Sequence, residues 1–197
     1  MQINIDKKSG IFIGIIAVLS LGIIFLLAGN SGDPMDHSGH GSMTSDEASS
    51  AKYSDDELMF AKMMIPHHEQ AVTMSELALK NTSNSEVLAL ATAIRDAQAP
   101  EIEQMQSWLG NDDSHDAHNH DMEMGGMLTD EDLEKLASLR GDAFDQFFLA
   151  SMIAHHEGAL DMVEMIKDSI NAEVKALAEN IVKSQSAAIQ AMKALLK

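Results

Sequence analysis

The sequence predicts an all-α protein: an antiparallel four-helix bundle built from two duplicated helical hairpins, preceded by an N-terminal transmembrane helix. Three observations lead to this prediction. Residues 60–77 repeat in residues 148–165, with 9 identities in 18 aligned positions, and residues 86–105 repeat in residues 173–192. Two amphipathic segments joined by a short turn, present twice, are typical of two helical hairpins that share a core. Residues 11–28 form an uncharged apolar run.

This apolar run is long enough to cross a bilayer. Lysines at positions 7 and 8 precede it, and positive charges favour the cytoplasmic side of a membrane. Leu26 stands where a cleavage site would have a small residue. We therefore expect residues 1–29 to be an uncleaved signal anchor at the cell membrane, with the C-terminal domain outside the cytoplasm. If the segment is cleaved, the protein is secreted or periplasmic.

The composition excludes several classes of function. The chain of 197 residues has no cysteine, which removes disulfides, thiolate metal sites and cysteine nucleophiles. Its net charge of −18 has the wrong sign for a nucleic-acid binder, and it favours cations near the surface. The chain also has 15 methionines, which are common core fillers and which bind soft metals.

The remaining chain divides into a tether and a helical domain. Residues 30–53 are rich in Gly, Ser and Asp and lack apolar periodicity, which predicts a flexible tether. Residues 54–197 are predicted to form the bundle, from hairpins 54–110 and 141–197 joined by a His/Met-rich linker, 111–128.

Capping signals predict where the helices begin and end. Ser54 and Glu57 form a capping box, so the first helix begins there and runs to about Lys80. The turn after it predicts a second helix over residues 85–109, ended by Gly110. A short helix is expected over residues 129–138. Asp142 is predicted to cap a third long helix that reaches about residue 169, and a fourth begins at Asn171.

The two repeated His-His-Glu steps are the candidate metal centre. At 100° per residue, His67 and His68 share one face of the first helix with Met64, Met74 and the small Ala71. A stripe of Met, Ala and Phe is usually core, but buried histidines must find hydrogen-bond partners, and two adjacent pairs are hard to explain by packing. Imidazole and thioether groups are ligands that copper prefers. The predicted ligands are Met64, His67, His68 and Met74 in one copy and Met152, His155, His156 and Met162 in the other.

The carboxylates next to the histidine pairs, and two polar segments elsewhere in the chain, have smaller predicted roles. Glu69 and Glu157 fall away from the stripe, which suggests solvated carboxylates or partners that orient a histidine. Two polar segments supply further candidate ligands, which we expect to collect copper weakly because nothing preorganises them. These accessory ligands are Met35, His37, His40, Met43, His115, His118, His120, Met122, Met124 and Met127.

One copy of the motif reads Met64-Ile65-Pro66-His67-His68-Glu69-Gln70-Ala71, and the matching run extends from Met152 to Ala159. Together they resemble the paired motifs of the bacterial family catalogued as domain of unknown function 305. The resemblance covers about residues 54–197. It implies a ferritin-like four-helix bundle, an extracytoplasmic location and copper binding linked to copper tolerance. It implies no established catalytic activity.

The leading hypothesis is a non-enzymatic protein that binds Cu(I), Cu(II) or both, for sequestration, tolerance or transfer to a partner protein. A ferritin-like di-iron or di-manganese oxidoreductase is the alternative, although its Glu-x-x-His motif is absent from the chain. A hemerythrin-like oxygen carrier does not match adjacent histidines. A helical interaction module without metal is the third hypothesis, and homo-oligomerisation stays open.

Overall fold

The computed structural model of the chain describes residues 52–110 and 124–196. Within these residues it contains five α-helices and no strand. They are α1 (Asp55–Asn81), α2 (Ser85–Leu109), α3 (Asp130–Ser138), α4 (Gly141–Val163) and α5 (Ala172–Leu195). None of the helices in this part of the chain is long and apolar enough to cross a membrane. The predicted signal anchor, the tether up to Ala51 and most of the linker lie outside the described residues.

Side-chain caps begin most of the helices where the sequence predicts. The Ser54 hydroxyl accepts a hydrogen bond from the Glu57 amide, and the Glu57 carboxylate accepts one from the Ser54 amide, so the predicted capping box is confirmed. The side chains of Asn84, Thr129 and Asn171 cap α2, α3 and α5 by accepting one backbone amide hydrogen bond each. Each such cap satisfies an amide that has no partner within the helix.

The bounds predicted for the third long helix are wrong at both ends. Helix α4 begins at Gly141, and its N-cap residue Arg140 makes no side-chain cap, so Asp142 lies inside the first turn. The helix ends at Val163, followed by one turn of 3₁₀-helix over Glu164–Ile166. Ser169 lies in the connection to α5, where its hydroxyl donates to Glu57 and accepts from the Asn171 amide. These tertiary bonds favour a turn there over further helix.

The four long helices pack as two hairpins with a joint core. α1 pairs with α2, α4 pairs with α5, and the hairpins meet chiefly where α1 crosses α4. Each of the two buried apolar clusters takes residues from both hairpins: Phe148 and Met152 pack with Ala71 and Met74 in one, and Met162 packs with Met64 in the other. Because neither hairpin buries its apolar face alone, the halves stabilise each other.

Candidate metal centre

Four histidines lie in one buried layer between α1 and α4. His67 and His68 on α1 and His155 on α4 are completely buried, and His156 is 1% exposed. The ring centroids of His67 and His155 are 3.7 Å apart, with the ring planes inclined by 38°. The centroids of His155 and His156 are 6.3 Å apart. The duplicated motif therefore brings imidazoles from both hairpins into contact, as the helical faces predict.

Two of the histidines have a hydrogen-bond partner that fixes their tautomer. His67 Nε2 lies 3.2 Å from the carbonyl oxygen of Gly125, and His68 Nε2 lies 2.8 Å from Oε2 of Glu101. Carbonyl and carboxylate oxygens accept hydrogen bonds, so Nε2 is the donor in both rings. In the neutral form of each ring, Nδ1 is then left with a free lone pair.

Most of the other ring nitrogens are buried without a partner. Nδ1 of His67, His68 and His156 and both ring nitrogens of His155 make no hydrogen bond within the described chain. A buried polar atom without a partner costs about 1–3 kcal/mol in a folded protein. Such a cluster of unpaired nitrogens calls for a further partner, and a metal ion that accepts their lone pairs is one.

Burial keeps the imidazoles of His67, His155 and His156 neutral. Desolvation, with repulsion from His68, lowers the pKa of His67 to about 4, although the bond to the Gly125 carbonyl raises it in part. Desolvation and the neighbouring histidines lower the pKa of His156 to about 3, and they lower the pKa of His155 well below its usual value. Imidazoles must be deprotonated to bind a metal, so at neutral pH these three have the required protonation state.

Buried thioethers lie on both sides of the histidine layer. Met64 and Met162 belong to one apolar cluster, and Met74 and Met152 belong to the other. All four side chains are buried. Each cluster thus combines one predicted thioether ligand from α1 with one from α4, because the two helices contribute to it from opposite ends of the repeated motif.

Glu101 is a site residue that the motif does not reveal. This residue of α2 is 4% exposed and bonds His68, whereas the Glu69 and Glu157 of the His-His-Glu steps are exposed. Glu157 instead forms a surface ion pair with Lys193 at 2.8 Å. The prediction that Glu69 and Glu157 lie off the buried stripe is therefore confirmed. The spacing of Glu101 from buried Gln98 and Met105 was the available signal, since it places an acid within the apolar face of α2.

The end of the linker covers part of the histidine layer. The side-chain amide of Gln70 makes two hydrogen bonds to the backbone of Leu128. It donates to the Leu128 carbonyl oxygen at 2.9 Å and accepts from the Leu128 backbone N–H at 2.8 Å. Gly125 lies directly on Gly158 of α4, where a Cβ would meet the Gly125 oxygen at 1.7 Å. Gly126 has φ of 79° and packs on the backbone of α4. The segment 124–128 therefore forms a strap over His67. The repeat does not predict this strap, because the two residues that hold it, Gln70 and Gly158, are different residues at equivalent positions of the two copies.

Among the predicted ligands, all eight of the bundle lie in or beside this layer. Of the accessory ligands, Met124 and Met127 are half-buried at the strap, and Met124 packs against the cluster of Met64. The other eight accessory ligands lie outside the described residues. Within residues 52–110 and 124–196 no group of three or more His, Asp or Glu side chains is arranged to hold one ion. The described chain provides two imidazoles in tilted contact, two further buried imidazoles and the thioethers of the adjoining clusters.

The described residues form a helical bundle with a buried layer of histidine and methionine side chains between two hairpins. The family model "Domain of unknown function (DUF305)" matches residues 57–196. The chain belongs to this family, as the motifs predict. No curated protein matches the chain.

Solved structures of other family members and of a copper-bound protein are similar to the chain. A DUF305 protein of Streptomyces coelicolor, described provisionally as secreted, is 32% identical, with a TM-score of 0.63 over 71% of this chain and 91% of its own. A DUF305 fragment of Deinococcus radiodurans is 28% identical, with a TM-score of 0.62 over 72% and 95%. CopM in its Cu(I)-bound form is 31% identical, with a TM-score of 0.57 over 71% and 94%. CopM structures with Cu(II) and with silver are similar to the chain as well.

Proposed function

We propose that this protein binds copper outside the cytoplasm and serves in copper sequestration, tolerance or transfer, without catalysing a reaction. The observation that carries the proposal is the group of buried, neutral and unpaired imidazole nitrogens at the contact between α1 and α4. The similar protein CopM supports the proposal, because its structure has been solved with Cu(I), Cu(II) and silver. The net charge of −18 would concentrate cations around the protein.

The proposed ligands are imidazoles of His67, His68, His155 and His156 together with thioethers of the surrounding methionines. Met64 and Met74 are ten residues apart on α1, which is about 15 Å along a helix axis, so one ion does not bind both easily. The shared clusters favour ligand sets drawn from both helices, with Met64 and Met162 on one side and Met74 and Met152 on the other. Thioethers favour Cu(I), and imidazoles accept both oxidation states.

The remaining elements of the proposal concern location and architecture. Residues 1–29 are proposed to anchor the chain in the cell membrane, and the description of the Streptomyces relative as provisionally secreted is consistent with an extracytoplasmic domain. The bundle of two hairpins is proposed to be ferritin-like. A di-iron or di-manganese function is less well supported, because such sites use several inward carboxylates and Glu101 is the one acid that bonds a histidine of the layer in the described chain.

Replacing the four histidines with alanine tests the proposal. The quadruple variant is expected to lose tight Cu(I) binding, measured by competition with a chromogenic chelator under reducing conditions, while circular dichroism shows the helices retained. Glu69→Ala with Glu157→Ala is the matched control, since it alters the exposed part of the same motif and should leave affinity unchanged. Unchanged affinity and stoichiometry in the histidine variant would contradict the proposed site.

A further inference from the structure

The two hairpins differ at the buried position from which Glu101 bonds His68. With the offset of 87 residues that relates α2 to α5, Glu101 is equivalent to Ala188. The positions around it are the same in both copies, with Gln98 equivalent to Gln185 and Met105 equivalent to Met192. All of these side chains are buried. The duplicated face therefore carries a carboxylate in one half only.

Glu101 and His68 form a buried pair. The Glu101 side chain is 5% exposed and that of His68 is fully buried, and 2.8 Å separates the carboxylate oxygen from Nε2. Burying a carboxylate is unfavourable unless it is hydrogen-bonded, so Glu101 needs this imidazole. The equivalent Ala188 has no side-chain acceptor, so it offers Nε2 of His156 no such bond.

The pair decides which nitrogen of His68 faces a ligand. Because the carboxylate accepts from Nε2, this nitrogen carries the proton of the neutral ring, and Nδ1 of the neutral ring holds a lone pair. Nδ1 of His68 is buried and unpaired, so it is available to an ion inside the layer. A carboxylate that accepts from the far nitrogen of a metal-binding histidine fixes the ring and makes the other nitrogen a stronger donor.

We propose that Glu101 is a positioning residue that holds His68 with Nδ1 as its metal-binding nitrogen, and that His68 therefore binds copper more strongly than its equivalent His156. This inference rests on the proposed copper-binding function. The ligand set that contains His68 has an oriented histidine and is the tighter site, whereas His156 lacks this support because Ala188 replaces the carboxylate. Removal of such a partner typically weakens metal binding about 10- to 100-fold.

Two measurements on the full chain in detergent micelles test the inference. In the copper-free protein with ¹⁵N-labelled histidine, the ring nitrogen shifts of His68 are expected to show the proton on Nε2, and Glu101→Ala, which makes the two halves alike, should produce a mixture of tautomers. His68→Gln identifies the signals. In Cu(I) competition titrations, Glu101→Ala should weaken the tightest site about 10- to 100-fold.

Controls separate this role from a general loss of charge or fold. Glu103→Ala removes an exposed acid two residues away on α2 and should leave both measurements unchanged. Glu101→Gln keeps the side-chain volume and an acceptor, so this variant should fold and show an intermediate loss of Cu(I) affinity. Wild-type tautomers and affinity in both Glu101 variants would overturn the inference. Absence of Cu(I) binding in the wild type would instead overturn the proposed function, while the nitrogen shifts would still report whether Glu101 sets the tautomer.

Discussion

Acid is expected to destabilise the copper-free protein through its buried histidines. The native pKa values of His67, His155 and His156 lie below the usual 6.5, near 4 for His67 and near 3 for His156. As the pH falls through 6.5, the unfolded chain therefore takes up protons that the native protein does not, and stability decreases. The loss continues until the native histidines themselves protonate, near pH 4 and below.

The size of the effect follows from proton linkage. A histidine with an unfolded pKa of 6.5 and no native protonation contributes a loss of slightly more than about 1 kcal/mol between about pH 7 and about pH 5.5. Three such histidines together reduce the free energy of unfolding by about 4 kcal/mol. This is a large part of the roughly 5–15 kcal/mol that stabilises an ordinary domain.

Urea unfolding followed by circular dichroism, at both pH values and with a copper chelator present, measures this loss. The double variant His67→Gln with His156→Gln removes two of the three titrating groups and should lose only about one third as much stability. Histidines outside the layer are unchanged in the variant, so the difference between the two proteins isolates the layer. Equal losses in both proteins would refute the account of buried, neutral imidazoles.

Three further predictions concern the strap, the joint core and the accessory ligands. Gly158→Ala should displace the strap and destabilise the protein by about 1–3 kcal/mol in thermal unfolding, because the new Cβ overlaps the Gly125 oxygen, whereas Gly125→Ala meets ordinary contacts and should be tolerated. Residues 54–110 alone should be poorly folded or dimeric by circular dichroism and ultracentrifugation, and a stable monomeric half would count against the joint core. Deleting residues 35–43 and replacing His115, His118 and His120 with Ser should lower the number of copper ions bound, measured by metal analysis after dialysis, yet retain the tightest site. Loss of that site would mean that the accessory and bundle ligands are assigned the wrong way round.

The repeat in the sequence predicted the histidine layer because helical periodicity alone decides which residues share a face. His67 and His155 occupy equivalent positions, so the antiparallel crossing of α1 and α4 brings them together. The helix caps were also predictable from local spacing, since the capping box of α1 needs only Ser54 and Glu57, three residues apart. Local spacing is sufficient information for both features.

Features that depend on distant contacts were not predictable in this way. Helix α4 ends at Val163, before the predicted residue 169, because Ser169 bonds Glu57, which is 112 residues away along the chain. The strap depends on a close approach of Gly125 to Gly158. The repeat does not mark Glu101, because the equivalent residue of the second copy is Ala188. Its partner His68 lies 33 residues away along the chain, on another helix.

Copper K-edge X-ray absorption of the protein loaded with one equivalent of Cu(I) tests the central claim most directly. The variant that lacks residues 35–43 and has Ser in place of His115, His118 and His120 is the appropriate sample, since its remaining histidines are the four of the bundle. We expect a first shell of imidazole nitrogen with thioether sulfur, and its loss when His67, His68, His155 and His156 are replaced with alanine. A shell of oxygen ligands only, or a spectrum unchanged by those four replacements, would contradict the claim that copper binds in the buried layer.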